Sequence, residues 1–216
     1  MFFLPFYFQA VKGTSAEQSG IRTISYLGSL IVSSIIVGVG ITAIGWYKPF
    51  LIIGGVIFTI GAGMIYTLQV PSGATKWIGY QLLSGFGFGG GIQIPFTAIQ
   101  VVLSAKDVPT GNALVIFFNS LGGAIAISIV QNIFMSGLIS NLPKDAPGVD
   151  PQIAVGAGAM YLRKVINSEE LPGVLLAYMA GLKHAFVVSI ACGALATICA
   201  CFVEWKSVKG KKITAT

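Results

Sequence analysis

The sequence predicts an all-α, polytopic transmembrane helix bundle, and three observations support this prediction. Of the 216 residues, 55% are hydrophobic and only 9% are charged, and the mean hydropathy is +0.84. A soluble domain carries about 25% charged residues, so lipid is expected to cover most of this surface. The apolar runs are two to three times longer than the roughly 10-residue alternating segments of a membrane β-barrel. The 28 glycines are also typical of membrane helices, which use glycine for close packing.

About six spans are expected in a single transmembrane domain covering residues 1–216, the first of them partial. The apolar run at 1–10 carries no charge but is too short to cross a bilayer, so it is interpreted as the end of a helix. Turn residues such as Pro71-Ser72-Gly73 separate the longer runs. These runs predict five complete spans, at about 21–45, 50–70, 77–103, 112–138 and 183–204.

The segments outside the predicted spans suggest an orientation. The stretch at about 139–170 holds most of the acidic residues and several prolines, which predicts an extracytoplasmic loop. A dense basic cluster in the tail at 205–216 predicts a cytoplasmic C-terminus held against anionic lipid. With this cluster included, six basic residues fall on the cytoplasmic side and seven on the other, so the count is not decisive and the orientation depends on the density of the cluster. Its members are Lys206, Lys209, Lys211 and Lys212.

Composition and spacing argue against several other classes of protein. The formal net charge is +6, but no basic patch interleaved with aromatic residues occurs, so no nucleic-acid partner is expected. Cys192, Cys199 and Cys201 lack a metal-ligand spacing and are interpreted as small apolar side chains of the last span. No nucleophile–base pair or phosphate-binding loop occurs. Neither an enzyme nor a cofactor or metal site is therefore expected.

The most conspicuous motif is GFGFGGGIQIP at 85–95. It contains a formal GxGxxG, but it lies inside an apolar run and lacks the preceding strand of a dinucleotide-binding site. Glycines four residues apart let membrane helices approach closely, and together with a proline they can let a helix bend. Packing alone and packing combined with gating both remain open. The positions assigned to these roles are Gly85, Gly87, Gly89, Gly90, Gly91, Pro95, Gly122 and Gly123.

Polar residues inside the spans are the second functional signal, because they are costly in lipid and tend to face the protein interior. One face of the third complete span is expected to carry polar and small residues at steps of three or four: Gly85, Gly89, Gln93, Thr97 and Gln100. The fourth span carries amides on two sides. Lining a substrate cavity and hydrogen bonding between helices remain alternative roles. The candidate cavity residues are Tyr7, Gln9, Gln93, Thr97, Gln100, Asn119 and Asn132.

Titratable residues are missing from the middle of the predicted spans. Proton-coupled carriers need such a group within the membrane, and no Asp, Glu, Lys or Arg lies mid-span here. His184, the single histidine, falls at the edge of the last predicted span. The coupling chemistry of a carrier is therefore not expected in this chain.

Five segments occur in this order: LPFYFQAVKGTSAEQSGIR at 4–22, GWYKP at 45–49, IGYQLLSGFGFGGGIQIPFTAIQVVL at 78–103, DVPTGNALVIFFNSLGGAIAISIVQNIF at 107–134 and EWKSVKGKK at 204–212. Together they resemble the fungal fourteen-span drug:proton antiporters of the major facilitator superfamily. The resemblance covers nearly the whole chain and implies the C-terminal half of a major-facilitator fold. Within it, Gly40, Gly45 and Lys48 match a degenerate copy of the family's loop motif.

The resemblance also implies a function. It implies efflux of small organic compounds, drugs or toxins, by proton antiport, in the plasma membrane or alternatively the vacuolar membrane. The chain is then a truncated C-terminal half, and its partners are the lipid bilayer, an organic substrate and the missing N-terminal transporter half. The alternative is a non-transporting membrane subunit or regulator that docks on another carrier.

Overall fold

The computed structural model describes residues 2–208, and almost all of their regular structure is helical. A short first helix consists of α1, Leu4–Phe6, continued by a π-helical segment, Tyr7–Val11. A bridge between Trp46 and Ser207 is the one extended pairing within these residues. The other helices are α2 Ala16–Ile44, α3 Lys48–Tyr66, α4 Ala74–Ile92, α5 Ile94–Val102, α6 Val108–Asp145, α7 Pro151–Val165 and α8 Leu171–Phe202.

Five helical segments among the described residues are long and apolar enough to cross a membrane. Together with the partial first helix they confirm the predicted all-α, polytopic bundle. The helices pack side by side in the order α2, α4, α3, α8, α6. The candidate spans are Ala16–Ile44, Lys48–Tyr66, Ala74–Val102, Val108–Asp145 and Leu171–Phe202.

Glycines bring α4 into backbone contact with α2 and α3. A Cβ on Gly89 would overlap the carbonyl oxygen of Leu30 in α2, and one on Gly87 would overlap the backbone nitrogen of Phe58 in α3. Gly61 of α3 contributes to the same contact, because a Cβ there would lie 2.6 Å from the Cα of Ser84. Because glycine has no side chain, these positions leave room for α4 between α2 and α3.

Not all of the glycines assigned to packing lie at helix contacts. Gly85 and Gly90 face α2, as Gly89 does, but a Cβ on Gly91, Gly122 or Gly123 would meet no heavy atom within 4 Å. For Gly122 and Gly123 the reason is that the most apolar window of α6 has none of its residues buried. Within the described residues, the space beside these three positions is thus open, although a Cβ on Gly54 of α3 would lie 3.6 Å from the Gly91 backbone nitrogen. The packing role of these three glycines stays a prediction.

The third predicted span is a single candidate span in the structure, Ala74–Val102, but its helix is interrupted at Gln93 where a continuous helix is predicted. Pro95 is the second residue of α5, where it cannot donate a backbone hydrogen bond to the carbonyl four residues earlier and its ring would clash with that carbonyl. As a result the expected polar face does not continue along one helix. Gly85 and Gly89 are buried, whereas Gln93 is exposed.

The stretch at 139–170 contains more helix than the expected loop. The end of α6 continues to Asp145 because its last turns pack on the start of α8, where a Cβ on Gly173 would overlap the Asp145 carbonyl oxygen. The whole of α7 also lies in this stretch. The predicted basic tail is described only to Val208, so Lys209, Lys211 and Lys212 lie outside the described residues.

The two ends of the bundle are defined by the alignment of α3 with α8. The Lys48 ammonium donates to the carbonyl oxygen of Cys201 at 2.8 Å, and the Lys183 ammonium lies 6.0 Å from the ring centroid of Tyr66. The 19 residues of α3 measure about 28 Å, close to the apolar thickness of a bilayer. Residues 171–182 of α8 extend beyond the end of α3. We call this the α7 end and the opposite one the tail end.

The contact between α4 and α2 gives the first testable prediction. Gly89→Ala should lower the thermal unfolding midpoint of the protein in detergent, because forcing a methyl group against a backbone carbonyl costs about 1–3 kcal/mol. Gly91→Ala is the matched control, since the space beside Gly91 is open. Equal midpoints for the two variants would contradict the proposed role of the contact.

Candidate functional site

An apolar groove of about 730 Å³ lies at the tail end, between α5 and α6. Its walls include side chains of Ile99 and Phe118, and it contains two of the sequence-predicted positions, Pro95 and Asn119. The groove lies after the interruption at Gln93, where α5 packs on the start of α6 at Gly111. An apolar surface with a few polar groups is the usual composition of a site for organic ligands.

One side of the groove is formed where residues 203–208 pair with the α2–α3 loop. We call this the tail clasp and define it as residues 45–48 with 203–208. The backbone nitrogen of Val208 donates to the Gly45 carbonyl at 2.8 Å, and the Tyr47 hydroxyl donates to the Glu204 carbonyl at 2.7 Å. The rings of Trp46 and Trp205 lie 5.8 Å apart. Tyr47 and Glu204 both line the groove.

Burial and a nearby negative charge keep the Tyr47 hydroxyl protonated, so that it can donate a hydrogen bond. Burial is the larger cause that raises the pKa of Tyr47, the nearby Glu204 raises it further, and Lys206 opposes them. The Glu204 carboxylate forms an ion pair with the Lys206 ammonium at 2.9 Å. The phenol therefore remains protonated across the neutral range and keeps its bond to the backbone.

The three residues of the loop motif lie at this clasp or directly before it. Gly45 ends α2 with a φ of 89°, a conformation that favours glycine. A Cβ on Gly40 would lie 2.7 Å from the Phe50 ring, so glycine lets α2 approach the start of α3. Lys48 holds the last turn of α8 through the Cys201 carbonyl, and its ammonium lies 5.3 Å from the ring centroid of Trp205.

At the α7 end, two cations attach the first helix to other segments, and the first of them, Lys12, directly follows this helix. The Lys12 ammonium donates to the carbonyls of Val70 at 2.7 Å and Ser72 at 2.6 Å, in the α3–α4 turn. Burial is the main cause that lowers the pKa of Lys12, and the positive charge of Arg22 adds to it. Burial thus removes part of the water around the ammonium, which donates hydrogen bonds to two backbone carbonyls instead.

Arg163 of α7 makes the second attachment. Its Nε donates to the Ala10 carbonyl at 3.1 Å and its Nη2 to the Val11 carbonyl at 2.6 Å. A Cβ on Gly13 would lie 2.8 Å from Nε, so glycine, here with a φ of 66°, leaves room for the guanidinium. Sequence reasoning missed this contact, because no local pattern relates Arg163 to carbonyls so far away in the chain.

Tyr7 does not face a cavity, contrary to the expectation for a substrate-lining residue. Its ring is fully buried, and its hydroxyl donates to the Gln69 carbonyl at 3.0 Å. The reason is that the π-helical segment turns this side chain into the core beneath the α3–α4 turn. Gln9, two residues later, is half-buried.

The other predicted polar residues are dispersed. The Thr97 hydroxyl donates to the Gln93 carbonyl at 3.3 Å and the Asn132 amide donates to the Ser128 carbonyl at 2.9 Å, so both bond within the chain's own helical turns. The Oε1 atom of Gln100 is buried without a hydrogen-bond partner among the described residues. The groove therefore brings together Pro95 and Asn119, and none of the other candidates.

Gln81 is a polar residue that sequence reasoning missed. It is fully buried in α4, and neither its Oε1 nor its Nε2 has a partner among the described residues. The signal was available, because Gln81 lies four residues before Gly85 and so extends the face that Gly85 and Gly89 share. A buried unpaired polar group costs about 1–3 kcal/mol.

This cost leads to a prediction for Gln81. Gln81→Leu should raise the thermal unfolding midpoint by a few degrees, since an apolar side chain of similar length removes the penalty of about 1–3 kcal/mol. Gln69→Leu is the control, because the Gln69 side chain is exposed. A lower midpoint for Gln81→Leu would show that a partner satisfies the amide.

A second prediction concerns the attachment of α7. Arg163→Gln should speed amide hydrogen exchange in residues 7–14 by roughly tenfold or more, since hydrogen bonds from a charged group contribute about 1.5–3 kcal/mol. Lys164→Gln removes the same charge from the neighbouring residue, whose ammonium lies over the Tyr161 ring. If both variants exchange at the wild-type rate, Arg163 does not hold the first helix.

Comparison with known proteins identifies relatives in several fungi. The chain is 42% identical over 212 residues to the MFS-type transporter astH of Aspergillus oryzae, covering 98% of this chain and 38% of that protein. It is 42% identical over 213 residues to the MFS-type efflux pump MFS1 of Trichophyton rubrum, covering 99% and 40% respectively. The efflux pump roqT of Penicillium rubens is 42% identical over 214 residues, again covering 99% and 40%.

No protein-family model matches the chain. The chain spans about two fifths of the length of the curated relatives it matches. The alignments extend over almost every residue of the chain, including the motifs that suggested the resemblance. The chain is therefore homologous, over nearly its whole length, to fungal transporters and efflux pumps of the major facilitator superfamily, as its motifs predict.

Proposed function

We propose that this chain forms the C-terminal part of a carrier that exports small organic compounds in exchange for protons. The observation that carries the proposal is the open face of α6 beside the apolar groove. Relatives named as efflux pumps support it as well, since they share 42% of the aligned residues. The groove supplies one wall of a substrate site, and the preceding part of the carrier supplies the opposite wall.

The open face of α6 supports a larger assembly. Phe118 is 64% exposed and Ile116 is 57% exposed. Lipid alone could cover these two apolar side chains. Asn119 is exposed on the same stretch, and an amide is costly in the hydrocarbon core. Protein or water is the better neighbour for this mixed surface. The relatives are long enough to provide it, because about three fifths of their length lies outside the alignment.

The groove suits an organic substrate of low polarity. The Asn119 amide offers a hydrogen-bond donor and acceptor among apolar side chains, which can orient a ligand without demanding a charge. Carriers of this architecture alternate access by rocking two halves around a site between them. The break at Gln93 and Pro95 provides a place where α5 can move relative to α4.

The orientation follows from the basic side chains of the tail end. The loops and the tail at this end carry Lys48, Lys106 and Lys206, and further lysines follow in the tail. With the tail end in the cytoplasm, α7 faces the outside. The plasma membrane is the proposed location, and the vacuolar membrane is the alternative.

A second candidate is a non-transporting membrane subunit that docks on another carrier. The same open face of α6 favours it, since this surface needs a protein neighbour in either case. Reconstituting this chain alone and joined to the preceding part of a full-length relative distinguishes the two. Substrate flux through the joined protein but not through this chain alone supports the export function. A change in the flux through a separate carrier when this chain is added supports the regulatory subunit.

The substrate site gives its own prediction. In a full-length carrier expressed in drug-sensitive yeast, Asn119→Leu should change the export of compounds that bear a hydrogen-bonding group by roughly 5- to 30-fold, since one bond contributes about 1–2 kcal/mol. Export of purely apolar dyes should change little. Asn141→Leu, at the α7 end, is the control. An unchanged compound profile in Asn119→Leu would assign this residue to packing.

A further inference from the structure

The Arg22 guanidinium, in the second turn of α2, lies against two aromatic rings at the α7 end. Its Cζ atom is 5.8 Å from the ring centroid of Phe8 in the first helix and 5.7 Å from that of Trp77 in α4. Phe8 is fully buried and Trp77 is 9% exposed, and their own ring centroids lie 4.9 Å apart. Two buried rings from two other helices therefore limit where the guanidinium can lie.

The five N–H donors of this guanidinium have no protein acceptor in the part of the chain that the structure describes. Arg22 is half-buried, and it makes no hydrogen bond or ion pair with another described residue. The single acidic residue of α2, Glu17, lies five residues earlier, which is about 140° around the helix. A charged group that loses part of its water usually has a partner, so these donors indicate a site for a negatively charged ligand.

A second cation, Lys12, adds positive potential to the same region. Its ammonium lies 5.9 Å from the ring centroid of Tyr7, and the Tyr7 and Phe8 rings lie 5.4 Å apart. Lys12 and Arg22 are thus joined by a continuous row of aromatic rings. Besides burial, which is the main cause, the charge of Arg22 lowers the pKa of Lys12, so each cation acts on the other. An anion beside Arg22 would be attracted by both charges.

The depth of the site matches that of lipid headgroups. The length of α3 is close to the apolar thickness of a bilayer, and Tyr66 ends this helix at the α7 end. Lys12 binds carbonyls of Val70 and Ser72, which follow directly after that end, and Trp77 belongs to the first turn of α4. Tryptophan is enriched where the hydrocarbon meets the headgroups. The guanidinium therefore lies near this boundary.

The chemistry of the side chain selects the kind of anion. A guanidinium is planar and presents parallel N–H groups, which match two oxygens of one phosphate group. Basic pockets between membrane helices can hold phosphorylated headgroups in this way. The rings on Phe8 and Trp77 orient the fork, because they contact the guanidinium of Arg22 without using its donors.

We propose that Arg22 binds a phosphate group at the α7 end, with two N–H groups of its fork on two phosphate oxygens and the charge of Lys12 in support. The phosphate belongs either to a phospholipid headgroup or to inorganic phosphate in solution, since both present the same oxygens. The site goes beyond the proposed transport function and does not rest on it.

Ligand titrations of the purified chain in dodecyl maltoside micelles test this site through the thermal unfolding midpoint, because a ligand that binds the folded protein raises it. Dioleoyl phosphatidylglycerol should raise the midpoint by a few degrees. Dioleoylglycerol, which has the same acyl chains and no phosphate, should not. A parallel titration with inorganic phosphate distinguishes the two sources: a rise with the phospholipid alone assigns the ligand to the membrane, and an equal rise with inorganic phosphate assigns it to the solution.

Three variants locate the binding. Arg22→Gln should weaken phosphatidylglycerol binding by roughly tenfold or more, because it removes the charged, bidentate donor. Arg22→Lys keeps the charge without the fork and should weaken binding less, and it keeps the test valid if Arg22→Gln does not fold. Lys76→Gln is the matched control, since it removes an equal charge from the exposed residue beside Trp77, and it should bind as the wild type does.

Three results would overturn the proposal. The first is a midpoint that rises with neither phosphate source in the wild type. The second is a rise of the same size in the wild type, Arg22→Gln and Arg22→Lys. The third is a loss of binding in Lys76→Gln as large as that in Arg22→Gln, because this end of the bundle would then attract anions without a defined site at Arg22.

Discussion

The contact of α4 with both of its neighbours is the constraint on which the rest of this bundle depends. Lipid offers helices no hydrophobic gain for associating, so their packing must come from close fit and hydrogen bonds. Gly87 and Gly89 provide the fit, since a side chain on either would overlap the backbone of α3 or α2. The Ser33 hydroxyl adds a bond to the Phe86 carbonyl at 2.5 Å. Because α3 also packs on α8, this contact fixes the position of the remaining helices.

The two ends of the bundle are then secured by backbone carbonyls that accept from cationic or phenolic side chains. At the tail end, Tyr47 and Lys48 bind carbonyls of residues that follow or end α8. At the α7 end, Lys12 and Arg163 bind carbonyls of the α3–α4 turn and the first helix. Helix ends leave carbonyls without helical partners, and these four side chains satisfy some of them. The groove lies between the tail clasp, which is held by these contacts, and α5, which begins after the interruption at Gln93.

Periodicity and composition were sufficient to predict the helices, the membrane class and the glycines that face α2 and α3. They failed where distant residues determine the result. Tyr7 was expected on a cavity, but its hydroxyl reaches Gln69 across the chain. Pro95 indicates a bend, but the sequence predicts a continuous helix through Gln93, because the apolar character of the span does not change there. Gly122 and Gly123 have the spacing of packing residues but face open space, since no sequence pattern states which helix will lie alongside.

The central claim is that another part of a carrier covers the open face of α6. A spin label at residue 119, with the three cysteines replaced by alanine, reports this directly through its accessibility to a water-soluble relaxation agent and to oxygen. The account predicts that joining the preceding part of a full-length relative sharply reduces accessibility at residue 119, while a label at exposed Gln152 of α7 keeps its accessibility. Equal accessibility at residue 119 in this chain alone and in the joined protein would contradict the claim.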